Sequence, residues 1–263
     1  MASCDRGVSR RSVLQILAGG SIIAAGAWPA FAGETVIGRL IAEASNYTRI
    51  SQRIDFISRA LLGAKYKANP LIGGPKQPEK FVVHDDAFDC VTYCETVLAA
   101  AIAHDFGEFE PALRQIRYRN GQVSWDQRNH YFFEWSQHNV ENKTCRPIAM
   151  DGSVEIDKTV NWHPELGKRR FLMHGIPRAT FLSNKHLLAN GDIVGFVTKK
   201  SNLDYFHTGF VAFGGNGELL LRHASKSRHR VLDERMDRFA AANKVRYVTL
   251  LRAEETAPVQ AAL

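Results

Sequence analysis

His207-Thr208-Gly209-Phe210-Val211-Ala212-Phe213, then Gly214-Gly215-Asn216-Gly217, then Glu218-Leu219-Leu220-Leu221-Arg222-His223-Ala224: this stretch reads as two strands around a glycine-rich turn. Apolar runs rich in Val, Phe and Leu, split by a short Gly/Asn segment, are the composition of a β-hairpin. Opposed residues of an antiparallel pair have a constant index sum and point to the same face. A three-residue loop, Gly214-Gly215-Asn216, pairs Phe213 with Gly217 and sets that sum at 430. His207 and His223 then face each other, two imidazoles on an otherwise apolar hairpin. A loop of two or four residues would turn them to opposite faces.

The neighbouring segments extend the pattern. Gly191-Asp192 precedes Ile193-Val194-Gly195-Phe196-Val197, a short buried strand, and residues 245–252 read as a last strand. Upstream the period changes to that of helices. Residues 35–62 predict two helices, or one bent near Asn46, and residues 90–103, 108–116 and 128–140 predict three more. Residues 63–80, rich in Gly and Pro, read as a loop. Residues 142–170 have no clear period and read as a long surface excursion of the kind that forms lids. Helices first and strands afterwards is the α+β pattern. The expected architecture is N-terminal helices packed on a small antiparallel sheet, with residues 33–263 as one domain.

Asp89 stands where a helix N-cap belongs, and Cys90 follows it. Orphan N–H groups and the helix dipole at such a position favour a thiolate and predict a lowered thiol pKa. A nucleophilic thiol also needs a base and a group that orients the base. Taken alone, Cys90 reads more readily as a small core residue; the two histidines turn the reading toward chemistry. Cys94 lies one turn deeper on the same helix face. With Cys4 in a leader, Cys90, Cys94 and Cys145 leave an odd number, which points to a free thiol. No C-x-x-C pair and no H-E-x-x-H occurs, so no metal or cofactor is expected.

The N-terminus reads as an address. Ser9-Arg10-Arg11-Ser12-Val13-Leu14 leads into an uncharged stretch at 13–27, and Ala30-Phe31-Ala32 offers small residues to a signal peptidase. The stretch is short for a membrane span, which needs about 20 apolar residues. Residues 1–32 are expected to be a twin-arginine-type signal peptide. The mature chain, from about Gly33, is expected to be periplasmic or secreted, monomeric and without a membrane span. A composition 45% hydrophobic and 23% charged excludes a disordered, collagenous or coiled-coil chain. The net charge of +7 reads as a solvated basic surface or as attraction to an anionic polymer, and wall polysaccharide fits as well as nucleic acid.

Joined together, these segments resemble the papain-like cell-wall hydrolases of the NlpC type. That superfamily has an Asp-Cys at a helix start, a Gly-Asp strand, a His-x-Gly strand, a Gly-rich turn and a His-Ala. Leu62-Gly63-Ala64-Lys65-Tyr66 looks like its Gly-x-x-Tyr motif. Phe88-Asp89-Cys90-Val91-Thr92-Tyr93-Cys94-Glu95-Thr96, Ile116-Arg117-Tyr118-Arg119-Asn120-Gly121 and Arg128-Asn129-His130-Tyr131-Phe132-Phe133-Glu134-Trp135 resemble one branch, the N-acetylmuramoyl-L-alanine amidase-like family.

The resemblance implies a papain-like fold and cleavage of an amide in peptidoglycan or a muropeptide, with no role in binding nucleic acid. Cys90 is then the nucleophile, His207 the base and His223 the residue that orients it. The Cys90 N–H serves the oxyanion, and Tyr66 is a second donor or a wall of the site. Asp89, Thr92, Glu95, Arg128 and His130 are the remaining residues expected around substrate. Thr92 and Glu95 read equally as hydrogen-bonded support, and Arg128 and His130 as a buried network. Arg117, His84 and His174 are further candidates. Two amides fit the same catalytic set: the lactyl amide between N-acetylmuramic acid and L-Ala, and a D-Glu to diamino-acid bond in the stem peptide. A zinc amidase and a non-catalytic wall-binding module are the competing classes.

Overall fold

Two amphipathic helices open the described chain, α1 (Val36–Ala44) and α2 (Ile50–Ala60), broken near Asn46 as the sequence suggests. The computed structural model describes residues 35–255, residue 162 excepted, so the signal-peptide reading of residues 1–32 lies outside the described residues. Ile37, Leu40 and Ile41 of α1 and Ile50, Ile54 and Ile57 of α2 are buried, the stripe that a helical period lays on one face.

Strands β1 (Lys65–Tyr66), β2 (Ile72–Gly74), β3 (Gln77–Lys80) and β4 (Ala87–Phe88) follow. The segment expected as a loop at 63–80 thus carries three short strands, too brief to show a period. Helix α3 (Cys90–Ile102) begins at the expected cap, and α4 (Phe106–Arg117) follows it. Helix α5 (Phe132–Glu141) starts four residues later than its sequence suggested. Arg128 is held extended there by a bridge to Tyr118.

Residues 142–170 are not structureless. They hold β5 (Cys145–Pro147) and β6 (Val154–Val160), and β6 pairs along its whole length with β7 (Arg169–Pro177). This hairpin closes one edge of the sheet, and β6 is exposed along most of its length. Charged and apolar residues therefore mix on it and hide the period of two. The chain ends with α6 (Arg178–Ser183), β8 (Ile193–Val197), β9 (Tyr205–Phe213), β10 (Leu219–Ser225), β11 (Arg230–Arg235), α7 (Met236–Ala242) and β12 (Tyr247–Ala253).

Ten of these strands form one sheet in the order β4-β1-β11-β10-β9-β8-β12-β7-β6, with β5 also on β12. The β1–β4 pair is parallel, so the sheet is mixed. The small antiparallel sheet expected from the sequence is only its centre. The described residues are a mixed α+β structure with seven α-helices.

The sheet separates two cores. Against one face lies α3, in which every residue from Thr92 to Ile102 is buried. Its Tyr93 ring meets Phe210 of β9 at 5.7 Å, and its Cys94 sulfur lies 3.9 Å from Thr208 Oγ1. Each apolar side chain so buried contributes about 1.5–3 kcal/mol, which fixes the helix start relative to β9. On the other face α7 places Phe239 against Phe196 at 4.8 Å.

Candidate active site

The start of α3 is built by a reciprocal cap. Asp89 Oδ1 accepts the N–H groups of Val91 and Thr92 at 3.1 and 2.8 Å, and Thr92 Oγ1 accepts the Asp89 N–H at 3.0 Å. The capping carboxylate uses the second and third helical N–H groups. Among the described residues, no other side chain or carbonyl accepts the Cys90 N–H. The cap thus leaves one main-chain donor at the residue that carries the thiol.

Cys90 is half-buried, and the three described cysteines are unbonded thiols. Burial, reinforced by the Asp89 charge, pushes the Cys90 thiol up to about 12. The main-chain N–H groups of Thr208, Cys90 and Val91 oppose that rise without cancelling it. The lowered pKa expected from the helix terminus is therefore overturned. Desolvation and an adjacent carboxylate both penalise the thiolate, and together they outweigh the helix end.

The hairpin register differs from expectation by two. Phe213 pairs with Leu219 and Arg222 with Phe210, which leaves a five-residue loop, Gly214 to Glu218, and an index sum of 432. A shift of two preserves the face, so His207 and His223 become diagonal neighbours. Nε2 of His207 lies 2.6 Å from Nδ1 of His223, with the rings edge to face. Phe239 covers both at 5.4 Å. Burial, with the neighbouring His223, lowers His207 to about 3; burial lowers His223 to about 4, against the pull of Asp233.

The histidines do not share a face with the helix. Thr208 and Phe210 point toward α3, whereas His207 and His223 point toward α7. The expectation that α3 docks on the histidine-bearing face is corrected accordingly. Among the described residues no hydrogen bond joins Cys90 to His207. The link between them is the N–H of Thr208, the residue after His207, which acts on the Cys90 sulfur. His207 Nδ1, the ring nitrogen nearer the backbone, makes no hydrogen bond among the described residues.

The other expected residues take varied places. Tyr66 is half-buried beside Cys90, and burial followed by the Cys90 and Asp89 charges raises its hydroxyl. Asp89 and Thr92 are committed to the cap. Glu95 is turned inward, its Oε2 2.8 Å from Arg117 Nε with both side chains only 2% exposed. Arg117 also donates to the Val82 carbonyl at 2.8 Å. Arg128 grips Glu79 at 2.9 and 3.1 Å, and Tyr118 donates to the same carboxylate at 2.9 Å. His130 Nε2 lies 2.6 Å from the Trp125 carbonyl, and burial lowers its pKa to about 4.

His84 Nε2 is 3.1 Å from the Pro70 carbonyl, and His174 is exposed on β7. Glu79, Thr208 and Phe239 were missed as parts of this region. Thr208 sits within the quoted His-x-Gly motif, and the other two carry no local signal. Among the described residues no three His, Cys, Asp or Glu side chains are grouped as metal ligands are.

Crystal structures of other proteins share this fold, among them the following two. LPG0564 of Legionella pneumophila is 22% identical, with 82% of this chain and 93% of that one covered and a TM-score of 0.71. An N-acetylmuramoyl-L-alanine amidase of Bacteroides uniformis is 22% identical, with 78% and 99% covered and a TM-score of 0.69. Among curated proteins none matches this chain. The chain belongs to the AmiA-like family, described as N-acetylmuramoyl-L-alanine amidase-like, whose family model matches residues 56–245. No helix among the described residues is long and apolar enough to cross a membrane.

Proposed function

We propose that this chain is an exported, monomeric peptidoglycan hydrolase of papain-like plan that cleaves the amide between N-acetylmuramic acid and L-Ala. Residues 1–32 are its signal and residues 33–263 its catalytic domain. The observation that carries the reading is the 2.6 Å His207–His223 pair directly preceding the Thr208 N–H that acts on Cys90. Tyr66 forms a wall of the site. Arg128 and Glu79 form a mostly buried ion pair near Glu95.

Both partners rest neutral: the thiol sits high and the imidazole low. The step therefore begins without a preformed thiolate. As sulfur attacks the lactyl carbonyl carbon, His207 Nδ1 takes the thiol proton, and His223 Nδ1 steadies the imidazolium by accepting the His207 Nε2–H. The carbonyl oxygen becomes an oxyanion, received by the Cys90 N–H. The tetrahedral intermediate collapses, the C–N bond breaks, and His207 returns the proton to the L-Ala amine. Water then attacks the thioester and gives one proton to His207; the C–S bond breaks, His207 returns that proton to sulfur, and the acid released ionises to its carboxylate.

The test is mass spectrometry of products from purified muropeptides. Free disaccharide plus intact stem peptide is expected from wild type and absent with Cys90→Ala. Disaccharide-dipeptide would instead make it a stem endopeptidase. Binding without release would make it a wall-binding module, and loss of activity on chelation a zinc amidase.

A further inference from the structure

The pair of histidines continues in a direction the triad does not use. Nε2 of His223 is buried and makes no hydrogen bond, while Oε2 of Glu234 lies 3.5 Å from it. Residue 223 is 1% exposed and the Glu234 side chain 33%, so the ring is fixed and the carboxylate is free to close the gap. Strand pairing explains the placement. His223 is opposed by Leu232, and Glu234, two residues on, points to the same face.

The surrounding charges leave Glu234 to this ring. Asp233, whose charge also pulls on His223, points to the other face, where Arg222 holds it at 2.8 Å. Arg235 is engaged by Glu218 at 3.0 Å and Asp237 at 2.8 Å. Arg228, Arg230, Arg235 and Arg238 line the cleft together with Glu234 and Asp233, so cations outnumber carboxylates there. From α7 the Phe239 ring covers both imidazoles at 5.4 Å. Glu234 makes no other ion pair among the described residues.

We propose that Glu234 is a positioning residue that sets the proton positions on both histidines. One proton lies between His207 Nε2 and His223 Nδ1, and it has two possible owners. A carboxylate facing His223 Nε2 requires an N–H there. His223 Nδ1 is then the acceptor, His207 Nε2 the donor, and His207 Nδ1 the bare nitrogen. With the order reversed, a lone pair would face the carboxylate and His207 Nδ1 would carry a proton. Only the first arrangement lets His207 receive the Cys90 proton. The inference rests on the reading of His207 as that base and adds the group that keeps it in the basic form.

Ring 15N–1H correlation spectra of the folded, 15N-labelled protein at neutral pH decide it. Wild type and Glu234→Gln, which keeps an acceptor oxygen, are expected to show His207 protonated at Nε2. Glu234→Leu is expected to move most of His207 to the Nδ1–H form, with kcat lowered about tenfold or more at unchanged KM. His207 remaining Nε2–H in Glu234→Leu, or Nδ1–H in wild type, overturns the proposal. A tautomer shift in a protein that cleaves no muropeptide would uphold the proton placement and overturn the hydrolase reading instead.

Discussion

Nε2 of His207 lies 2.6 Å from Nδ1 of His223 although the two residues are not opposed across the hairpin; Gly209 stands where a side chain would intervene. A Cβ on Gly209 would come within 2.9 Å of the His223 Cβ, so the glycine of the His-x-Gly motif makes room for the diagonal contact. Replacing His223 by Ala leaves His207 Nε2 without its partner. We expect kcat/KM on muropeptides to fall by about 100-fold or more, and by less in His223→Asn, which keeps an acceptor. Equal losses in both variants would show that the ring only fills space.

Acid should unfold the protein through the same two rings. His207 and His223 are held to about 3 and about 4, below their ordinary 6.5, so the unfolded chain binds protons that the native state refuses. Their contribution to stability is complete above about pH 6.5 and is lost as pH falls through the folded values. The urea midpoint should therefore fall between pH 6.5 and pH 4. His207→Gln should flatten that slope; an unchanged slope would place the acid sensitivity in other groups.

The ion pair behind the helix start makes a stability prediction. Glu95 and Arg117 are buried together, and burial raises the Glu95 carboxyl while Arg117 pulls it back. Arg117→Leu strands a buried carboxylate and should cost about 3–5 kcal/mol in urea unfolding. The double change Glu95→Leu with Arg117→Leu should recover much of that loss. If the double variant is as unstable as the single one, packing rather than charge is what Arg117 supplies.

Export can be separated from catalysis. With Arg10 and Arg11 replaced by Lys, the chain should stay in the cytoplasm in cell fractionation. Normal delivery of that variant would exclude a twin-arginine signal.

The legible parts of the fold were those in which one local rule acts alone. Asp89 before an apolar run announces α3, because capping is decided within three residues. The shared face of His207 and His223 survived a loop misjudged by two residues, because only the parity of the loop matters to the face. Strand β11 was missed because Arg230, Asp233, Glu234 and Arg235 place charges on both of its faces and erase alternation. The inward turn of Glu95 was left open because its partner is 22 residues away, and Glu79 went unnamed with Arg128 49 residues off. The thiol environment was misread for a related reason. The helix end is visible in sequence, whereas burial by the sheet is a tertiary fact.

That correction changes what alkylation should show. A thiolate formed by the helix terminus alone would react with iodoacetamide at a rate already level near neutral pH. With the Cys90 thiol pushed up to about 12 by burial and by Asp89, little thiolate exists at pH 7. The rate at Cys90 should therefore keep rising through pH 9 in the free enzyme. Cys145 is also pushed up to about 12, but it is 2% exposed and lacks the helix terminus. Cys94 is wholly buried. Cys90 should thus be the first of the three to be labelled at every pH, as peptide mass spectrometry can resolve. Asp89→Asn keeps a cap while removing the carboxylate charge, so it should raise the labelling rate at pH 8. A plateau near pH 7 in wild type would restore a preformed thiolate, and equal labelling of Cys90 and Cys145 would remove Cys90 as the nucleophile.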